Sequence, residues 1–329
     1  MFRFAASPDE EEMIGNAPIF RSAMRLLERL TKCDATVLIE GETGTGKELA
    51  ARWLHRKGSR ATAPFVPVNC GAIPEQLVES ELFGHGRGAF TDAKEASVGI
   101  VGMADGGTLF LDEVDALSPK SQVTLLRFLQ DRTYRRVGES VERRIDVRLI
   151  AACNCGLEDL ARRGLFRIDL FYRLNIMQLL LPPLRERRED IELLVLHILR
   201  SLRARYGNGP TQLDSDSAGW LAAQAWPGNV RQLQNFIERE FLLADQQKVL
   251  RLSILSREGQ DCPEVDAGDE WNYRSAKAQL VKNFDRNYLG GLMRSSSGNI
   301  SLAARKAGKE RRDLGRMLRK YHIKAEDFR

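Results

Sequence analysis

Two hydrophobic periodicities alternate along the chain from Met13 to Pro183, after a short acidic tail at residues 1–12. Short apolar runs of β type recur there, and stretches with helical spacing separate them. The β-type runs lie at residues 36–40, 65–69, 107–112, 147–152 and 176–181. Strands that alternate with helices predict an α/β fold with a parallel sheet over residues 13–183.

The pattern becomes purely helical after residue 183. Apolar residues with helical spacing predict only helices over residues 184–255, interrupted by a Trp-Pro-Gly break at 226–228. Residues 256–270 are acidic and poor in apolar side chains, which indicates a linker. Helical spacing then resumes, so we expect a final all-α domain over residues 271–329.

Composition places the chain among ordinary globular proteins. Its 329 residues, of which 43% are hydrophobic, can bury a sizeable core in two or three domains. No apolar run approaches the roughly 18 residues of a membrane span, and the N-terminus has no signal-peptide pattern. We therefore predict a cytoplasmic protein with no membrane partner. The five cysteines lack paired C-x-x-C spacing, which favours reduced core thiols over a metal site.

Basic residues concentrate near the C-terminal end. Eight basic and two acidic residues lie between Asn299 and Lys320, a net charge of +6 against +5 for the whole chain. A basic block beside a near-neutral body indicates a module that binds a polyanion such as DNA, although a solvated helix face also produces charge runs.

The stretch GETGTGKE, directly after the first β-type run, has the spacing G-x-x-x-x-G-K and precedes a helix-type run, as a phosphate-binding loop requires. Its glycines permit the positive φ angles that turn backbone N–H groups toward an anion. The residues predicted to bind ATP are Gly41, Glu42, Thr43, Gly44, Thr45, Gly46, Lys47 and Glu48. An ordinary glycine-rich turn is the structural alternative. Glu48 also stands where the general pattern has Ser or Thr to meet Mg²⁺.

A second motif, GTLFLDE at residues 107–113, ends a buried β-type run in two carboxylates. Nucleotide hydrolysis needs one acid to hold Mg²⁺ and another to polarise the attacking water. We assign the first role to Asp112 and the second to Glu113. An acidic helix N-terminus is the structural alternative, but the phosphate loop upstream favours an ATPase. Asp112 and the phosphates can hold the metal without a loop hydroxyl.

With these motifs, the chain resembles the AAA+ central domain of bacterial enhancer-binding activators of sigma-54 RNA polymerase. The resemblance covers about residues 13–255 and includes the Glu after the loop lysine. Further matching stretches are FVPVNCGAI (65–73), ESELFGHGRGAFTDA (79–93), RLIAACN (148–154), FRIDLFYRLN (166–175), LPPLRERREDI (181–191) and WPGNVRQL (226–233). It implies a nucleotide-binding subdomain at 13–183 and a helical lid at 184–255.

The resemblance also implies roles for single residues. Asn154 matches the first sensor of the nucleotide, rather than a plain helix cap, and Arg231 matches the second sensor, on the lid. Asn69 matches the residue that holds the catalytic glutamate in an inactive orientation. Arg167 and Arg173 match arginines offered to the γ-phosphate of a neighbouring subunit, although either also suits an interface salt bridge. Arginines supplied in trans imply a hexameric ring, with a dimer as the resting state.

A hexapeptide separates this family from other AAA+ proteins, and here it consists of Gly88, Ala89, Phe90, Thr91, Asp92 and Ala93. In the family it reads GAFTGA and forms a loop that rises from the ring to touch sigma-54. Asp92 replaces the second glycine. Asp tolerates left-handed backbone conformations, but it brings a negative charge to the contact from each subunit. This departure concerns the sigma-54 contact and not ATP hydrolysis.

The C-terminal module resembles a Fis-type helix-turn-helix over about residues 271–323. Two helices with one apolar face each are expected, with Gly308 at the turn between them. The second helix would lie in the DNA major groove and contact it through Arg311, Arg312, Arg316 and Arg319. Gly315 inside this helix costs roughly 1 kcal/mol of helix propensity.

Together these features predict a sigma-54-dependent activator that binds upstream DNA and uses ATP, Mg²⁺ and a ring oligomer to remodel the sigma-54 RNA polymerase holoenzyme. The alternative is a DNA-binding AAA+ regulator that binds ATP without engaging sigma-54, which Asp92 favours. A clamp-loader-like or helicase AAA+ protein is a third hypothesis, and the GAFTDA loop argues against it. No receiver or ligand-sensing segment precedes Met13, so we expect control by a separate regulatory protein, control by expression level, or no control at all.

Overall fold

The structure is a computed structural model that describes the chain in segments. The described residues are 12–89, 95–244, 248–252, 289, 293, 296, 299–307 and 311–320. They belong to two compact units, Met1–Ser253 and Ile254–Arg329. The predicted linker at 256–270 and nearly all of the predicted tail at 1–12 lie outside the described residues.

The first unit is built on a parallel sheet. Its strands, in chain order, are β1 (Val37–Glu40), β2 (Phe65–Asn69), β3 (Thr108–Asp112), β4 (Thr133–Tyr134), β5 (Arg143–Arg144), β6 (Arg148–Cys153) and β7 (Met177–Leu180). The short β4 and β5 form a separate antiparallel pair, and the other five form a parallel sheet in the order β2-β3-β6-β1-β7. The predicted parallel sheet is confirmed, and each β-type run overlaps one of its strands.

Helices cover both faces of this sheet. They are α1 (Pro18–Leu30), α2 (Lys47–Arg56), α3 (Val78–Phe83), α4 (Gly99–Met103), α5 (Pro119–Asp131), α6 (Leu157–Arg162) and α7 (Ile168–Leu174). Successive side chains of β1 point to opposite faces, so Val37 and Ile39 pack with α1 and α2, whereas Leu38 joins the core that includes α5 and α7. The three central strands β1, β3 and β6 are buried on both faces and are mostly apolar runs, whereas the edge strands β2 and β7 are partly exposed.

The region after the sheet contains α8 (Ile191–Tyr206), β8 (Gln212–Leu213), α9 (Ser215–Ala223), α10 (Asn229–Leu243) and β9 (Val249–Leu250). The Trp-Pro-Gly break indeed separates α9 from α10. The prediction of helices alone is wrong here, because β8 and β9 pair in parallel. Each of these strands has two residues, too few to show a period of two, and their pairing is not local in sequence.

In the second unit, the structure describes α11 (Ile300–Lys306) and α12 (Arg311–Lys320). Their apolar faces form one cluster, which includes buried Ala303, Ala304, Leu314 and Leu318. The predicted turn glycine, Gly308, and residues 271–288 lie outside the described residues. Within the described part of the chain, no helix combines the length and apolar character that crossing a bilayer requires.

Candidate functional site

A cavity of about 660 Å³ opens at the carboxyl-terminal edge of the sheet, between the sheet and α10. Ten of the residues predicted to act on ATP line it: Thr43, Gly44, Thr45, Gly46, Lys47, Glu48, Asp112, Glu113, Asn154 and Arg231. Its lining also has an apolar part, which includes Met13, Ile14, Phe20, Leu49 and Leu194. Sequence reasoning missed this apolar part, because its members come from four separate segments without a shared motif.

The phosphate loop joins the end of β1 to the start of α2. Gly44 and Gly46 have φ angles of 80° and 102°, as the glycine spacing predicts. A Cβ atom at Gly44 would lie 2.3 Å from the backbone oxygen of Gly228, so this glycine also allows the loop to approach the lid. The Thr45 hydroxyl donates to the Glu42 carbonyl at 2.8 Å, which closes the loop on itself.

Lys47 is a buried cation at the base of this loop. Its Nζ donates to the carbonyl oxygens of Gly41 at 2.8 Å and Glu42 at 3.2 Å, and to Asn154 Oδ1 at 2.8 Å. Burial lowers the pKa of Lys47 below its ordinary value, and the nearby Asp112 carboxylate opposes that shift. The amine is thus held by neutral acceptors at a point where an anion would be strongly attracted.

The two carboxylates of the second motif follow β3 into a strained turn. Asp112 Oδ1 accepts the backbone N–H of Glu113 at 2.9 Å, and burial raises the pKa of Asp112. Glu113 has φ 55° and ψ 44°, a left-handed conformation that costs a non-glycine residue on the order of 1–3 kcal/mol. This turn places the Glu113 carboxylate at the cavity beside Asp112.

Asn154 follows β6, and its side chain contacts the phosphate loop. Its Oδ1 accepts from Lys47 Nζ and, at 3.1 Å, from the Thr43 hydroxyl. The strand order explains this meeting, because β6 lies between β1 and β3 in the sheet. A side-chain amide at this position can contact both the loop and a phosphate that the loop holds.

Asn69 does not make the contact that the family resemblance implies. Its Oδ1 caps the following turn by accepting the backbone N–H groups of Gly71 at 2.8 Å and Ala72 at 3.1 Å. No hydrogen bond joins Asn69 to Glu113 in the part of the chain that the structure describes. The two side chains instead flank Gly71, where an added Cβ would lie 3.0 Å from Glu113 Oε2.

The two predicted trans-acting arginines lie at the two ends of α7 and do not line the cavity. Arg167 precedes the helix and pairs with Asp169, at 2.8 Å between Nη2 and Oδ2. This ion pair raises the pKa of Arg167. Arg173 is exposed in the last turn of α7. Both guanidinium groups are therefore at the surface rather than in their own subunit's cavity.

The lid contacts the phosphate loop through polar groups that sequence reasoning did not single out. Val230 N donates to the Gly44 carbonyl at 3.0 Å, and Asn229 Nδ2 donates to the Thr43 carbonyl at 3.0 Å. Arg185 Nη2 and Nη1 donate to the two oxygens of Glu42 at 2.7 and 2.8 Å. The Glu42 side chain was predicted to bind the nucleotide, but it points to the lid, and neither it nor Gly41 lines the cavity.

Of the GAFTDA hexapeptide, only Gly88 and Ala89 are described; Phe90, Thr91, Asp92 and Ala93 lie outside the described residues. The chain before and after it is paired, since His85 and Ser97 exchange backbone hydrogen bonds of 3.2 and 2.8 Å. Val137 lies in the β4–β5 hairpin, and its backbone N–H donates to the Gly84 carbonyl at 2.9 Å. The base of the hexapeptide segment is thereby bound to that hairpin.

On α12, three of the four arginines predicted to contact DNA are exposed. These are Arg311, Arg312 and Arg316, and the side chain of Arg319 lies outside the described residues. Arg316 forms an ion pair with Asp313 on the same helix. The opposite face of α12 carries the buried Leu314 and Leu318, so the basic residues face solvent.

Comparison with known families agrees with this architecture. The sequence matches the Sigma-54 interaction domain over residues 13–180 and the AAA+ ATPase lid domain over residues 185–267. The predicted AAA+ fold with a helical lid is therefore confirmed.

Two similar proteins are regulators by name. The chain is 40% identical over 332 residues to the transcriptional regulatory protein GlrR of Escherichia coli (strain K12), covering 98% of this chain and 72% of GlrR. It is 41% identical over 312 residues to the phenol regulator MopR of Acinetobacter guillouiae, covering 93% of this chain. This chain spans 56% of the length of MopR.

The structure is similar to that of NtrX from Brucella abortus. The crystal structure of NtrX in complex with ATP superimposes with a TM-score of 0.67 and 32% sequence identity, covering 95% of this chain and 69% of NtrX. The complex of NtrX with ADP gives a TM-score of 0.68 and 33% identity.

Proposed function

Because the chain belongs to the Sigma-54 interaction domain family, we propose that it is an ATPase that remodels the sigma-54 RNA polymerase complex at a promoter. One observation carries the proposal: Lys47, Asp112, Glu113 and Asn154 converge on one cavity at the carboxyl-terminal edge of the sheet. A cation for phosphate, two carboxylates and an amide are the groups that phosphoryl transfer to water requires.

The phosphate loop is the proposed binding element for the ATP phosphates. Lys47 donates to two carbonyl groups and to Asn154, so its donors can be redirected to phosphate oxygens at small cost. The glycine backbone of the loop and the N-terminus of α2 add positive partial charge at the same place. The apolar part of the cavity is suited to the base of the nucleotide.

Mg²⁺ is the metal that this proposal implies. Among the described residues, no group of three or more His, Cys, Asp or Glu side chains could hold a metal ion alone. Mg²⁺ does not require such a group, because it is commonly bound by one or two carboxylates together with substrate phosphates. Asp112 fits this role, since a cation would offset the burial that raises the pKa of its carboxyl group. When bound, Mg²⁺ would neutralise charge on the phosphates.

Glu113 is the proposed general base for the attacking water. Glu113 lines the cavity together with Asp112, and Asn154 would orient the γ-phosphate or the water. Arg167 and Arg173 would complete the site of a neighbouring subunit, since both are exposed at the ends of α7 and neither lines its own cavity. The assembly that we propose for this sharing is a hexameric ring, with a dimer as the resting state.

The C-terminal module is the proposed DNA-binding element. The solvent-facing arginines of α12, backed by an apolar face against α11, have the arrangement of a helix that enters the major groove. The proposed domains are the nucleotide-binding subdomain at 13–183, the helical lid at 184–255, the linker at 256–270 and the DNA-binding domain at 271–329.

A second candidate function is a DNA-binding regulator that binds ATP without engaging sigma-54. One observation favours it, namely Asp92 in place of the second glycine of the GAFTGA loop. Six subunits would bring six additional negative charges to the contact surface, and like charges across an interface discourage association.

A binding experiment on immobilised sigma-54, with a transition-state nucleotide analogue present, separates the two functions. An activator should bind as wild type and lose binding in Phe90→Ala, with ATPase activity and DNA binding preserved. If Asp92 has removed the contact, wild type should fail to bind and Asp92→Gly should gain binding. Strong wild-type binding that Asp92→Gly does not improve contradicts the second function, and no binding by either protein contradicts the first.

A further inference from the structure

We propose that two carboxylates outside the nucleotide cavity, Glu40 and Asp115, are positioning residues that place Asn154 in the site. The inference rests on the proposed ATP hydrolysis and names residues that the sequence motifs do not include. Neither side chain lines the cavity. Both instead bind the turn that begins at Asn154 and ends at Leu157.

Glu40 approaches this turn from β1, directly before the phosphate loop. The residue is 8% exposed, and its Oε1 accepts the backbone N–H of Leu157 at 3.0 Å. The Cys153 thiol donates to the same oxygen at 3.7 Å, and burial raises the pKa of Cys153, which keeps the donor protonated. Oε2 accepts from Gln178 Nε2 on β7.

A carboxylate at this buried position loses the favourable hydration of its charge. No Lys, Arg or His lies within ion-pair distance of Glu40 in the part of the chain described, so hydrogen bonds alone offset the loss of hydration. An apolar side chain at the end of a buried strand would cost less folding free energy, because it loses no hydration of a charge. What Glu40 provides instead is a hydrogen bond from the end of β1, directly before the phosphate loop, to the Asn154 turn.

Asp115 approaches the same turn from the other side, two residues after Glu113. Its Oδ1 accepts the backbone N–H of Asn154 at 3.3 Å, and the Cys155 thiol donates to Oδ2 at 3.6 Å. Burial and the Asp115 charge raise the pKa of Cys155, which again keeps the thiol as a donor. Asp115 therefore connects the hydrolytic turn to the backbone of Asn154.

The turn that carries Asn154 is thus held between two carboxylates, one next to each catalytic motif. This arrangement fixes where Asn154 Oδ1 meets Lys47 and Thr43. A misplacement of about 1 Å at a reacting centre can cost about 10²-fold in rate. Loss of either carboxylate should therefore act on the rate of hydrolysis through Asn154, and much less on ATP affinity.

The test compares apolar and amide replacements in ATPase assays, with ATP binding and thermal unfolding measured in parallel. Glu40→Leu and Asp115→Ala should lower kcat about 10- to 100-fold and change the Kd for ATP much less. Glu40→Gln and Asp115→Asn keep an acceptor oxygen and should retain most of kcat. Arg162→Met, at an exposed arginine of α6 that contacts neither Glu40 nor Asp115, is the control and should behave as wild type.

Combination with Asn154→Ala shows whether the carboxylates act through Asn154. Adding Glu40→Leu or Asp115→Ala to Asn154→Ala should produce little further loss of kcat, because the group that they position is already absent. The inference is overturned if the kcat loss of a double variant equals the product of the losses of its two single variants. It is also overturned if Glu40→Leu and Asp115→Ala both have the kcat of wild type. If Glu40→Leu does not fold, the kcat of Asp115→Ala, a change at a partly exposed residue, is the deciding measurement. A wild type that hydrolyses no ATP overturns the proposed function and this inference together.

Discussion

Strand β6 carries a buried polar side chain at its amino end and is followed by a polar side chain at an open cavity at its carboxyl end. At its amino end, Arg148 is 1% exposed, and its guanidinium donates to the carbonyl oxygens of Leu30 at 2.8 Å and Leu54 at 3.3 Å. These carbonyls belong to the last turns of α1 and α2, which lack partners within their own helices. At its carboxyl end, Asn154 binds the Lys47 amine and the Thr43 hydroxyl at the edge of an open cavity.

Arg148 therefore stabilises the fold, whereas Asn154 is available to a ligand. Arg148 is held by backbone atoms that no ligand can replace. Thr43, Lys47 and Asn154 line the cavity, where a ligand can reach them, and the adjacent Glu113 holds a left-handed backbone conformation. Substitutions at the two ends should therefore change different measured quantities.

The largest effect is expected at the carboxyl end, from Glu113→Gln. Loss of the general base should slow ATP hydrolysis by at least about 10²-fold, while ATP binding with Mg²⁺ is preserved. Lys47→Ala is the contrasting variant, because it should lose nucleotide binding itself. Steady-state ATPase assays and equilibrium nucleotide binding measure both effects. Hydrolysis at the wild-type rate by Glu113→Gln would show that its role is misassigned.

A smaller and different effect is expected at the amino end, from Arg148→Met. The substitution removes the guanidinium donor from the Leu54 and Leu30 carbonyls and leaves Leu30, among the described residues, with only the Cys33 thiol at 3.7 Å. The free energy of unfolding should therefore fall by about 1–3 kcal/mol for a carbonyl left unsatisfied. The kcat of the folded protein should stay near that of wild type. Arg162→Met, at an exposed arginine of α6, is the control and should change stability little. An unchanged unfolding free energy in Arg148→Met would contradict the structural role.

The smallest effect is expected from Asp34→Asn, also at the amino edge. Arg60 donates to Asp34 and lowers the pKa of its carboxyl group in the folded state. A lowered pKa stabilises the fold above the unfolded pKa of about 3.9, and this stabilisation is lost as pH falls through the folded pKa. Asp34 is 43% exposed, so the contribution at pH 7 should be below about 1 kcal/mol. Urea unfolding of both proteins should show a difference at pH 7 that shrinks below pH 4, and a difference that grows there would refute this assignment.

The family resemblance and the two chemical motifs were accessible from the sequence, but several contacts of the site were not. Glu42 lies within the phosphate loop, yet its carboxylate binds Arg185, 143 residues later. Asn229 reaches back 186 residues to the Thr43 carbonyl. The stretches LPPLRER and WPGNV contain these partners, but nothing in their spacing indicates which loop they contact.

The sequence by itself determined the phosphate loop, the pair of acids after β3, the parallel sheet and the apolar faces of α11 and α12. Each of these depends on residues close together in the chain, where backbone preference and side-chain period act directly. Only the tertiary structure decided that Asn154 meets Lys47, that Glu40 and Asp115 hold the Asn154 turn, and that β8 pairs with β9. Those contacts follow from the strand order β2-β3-β6-β1-β7 and from the packing of the lid. Hydrophobic periodicity assigns a residue to a face of an element, but it does not specify which elements are neighbours.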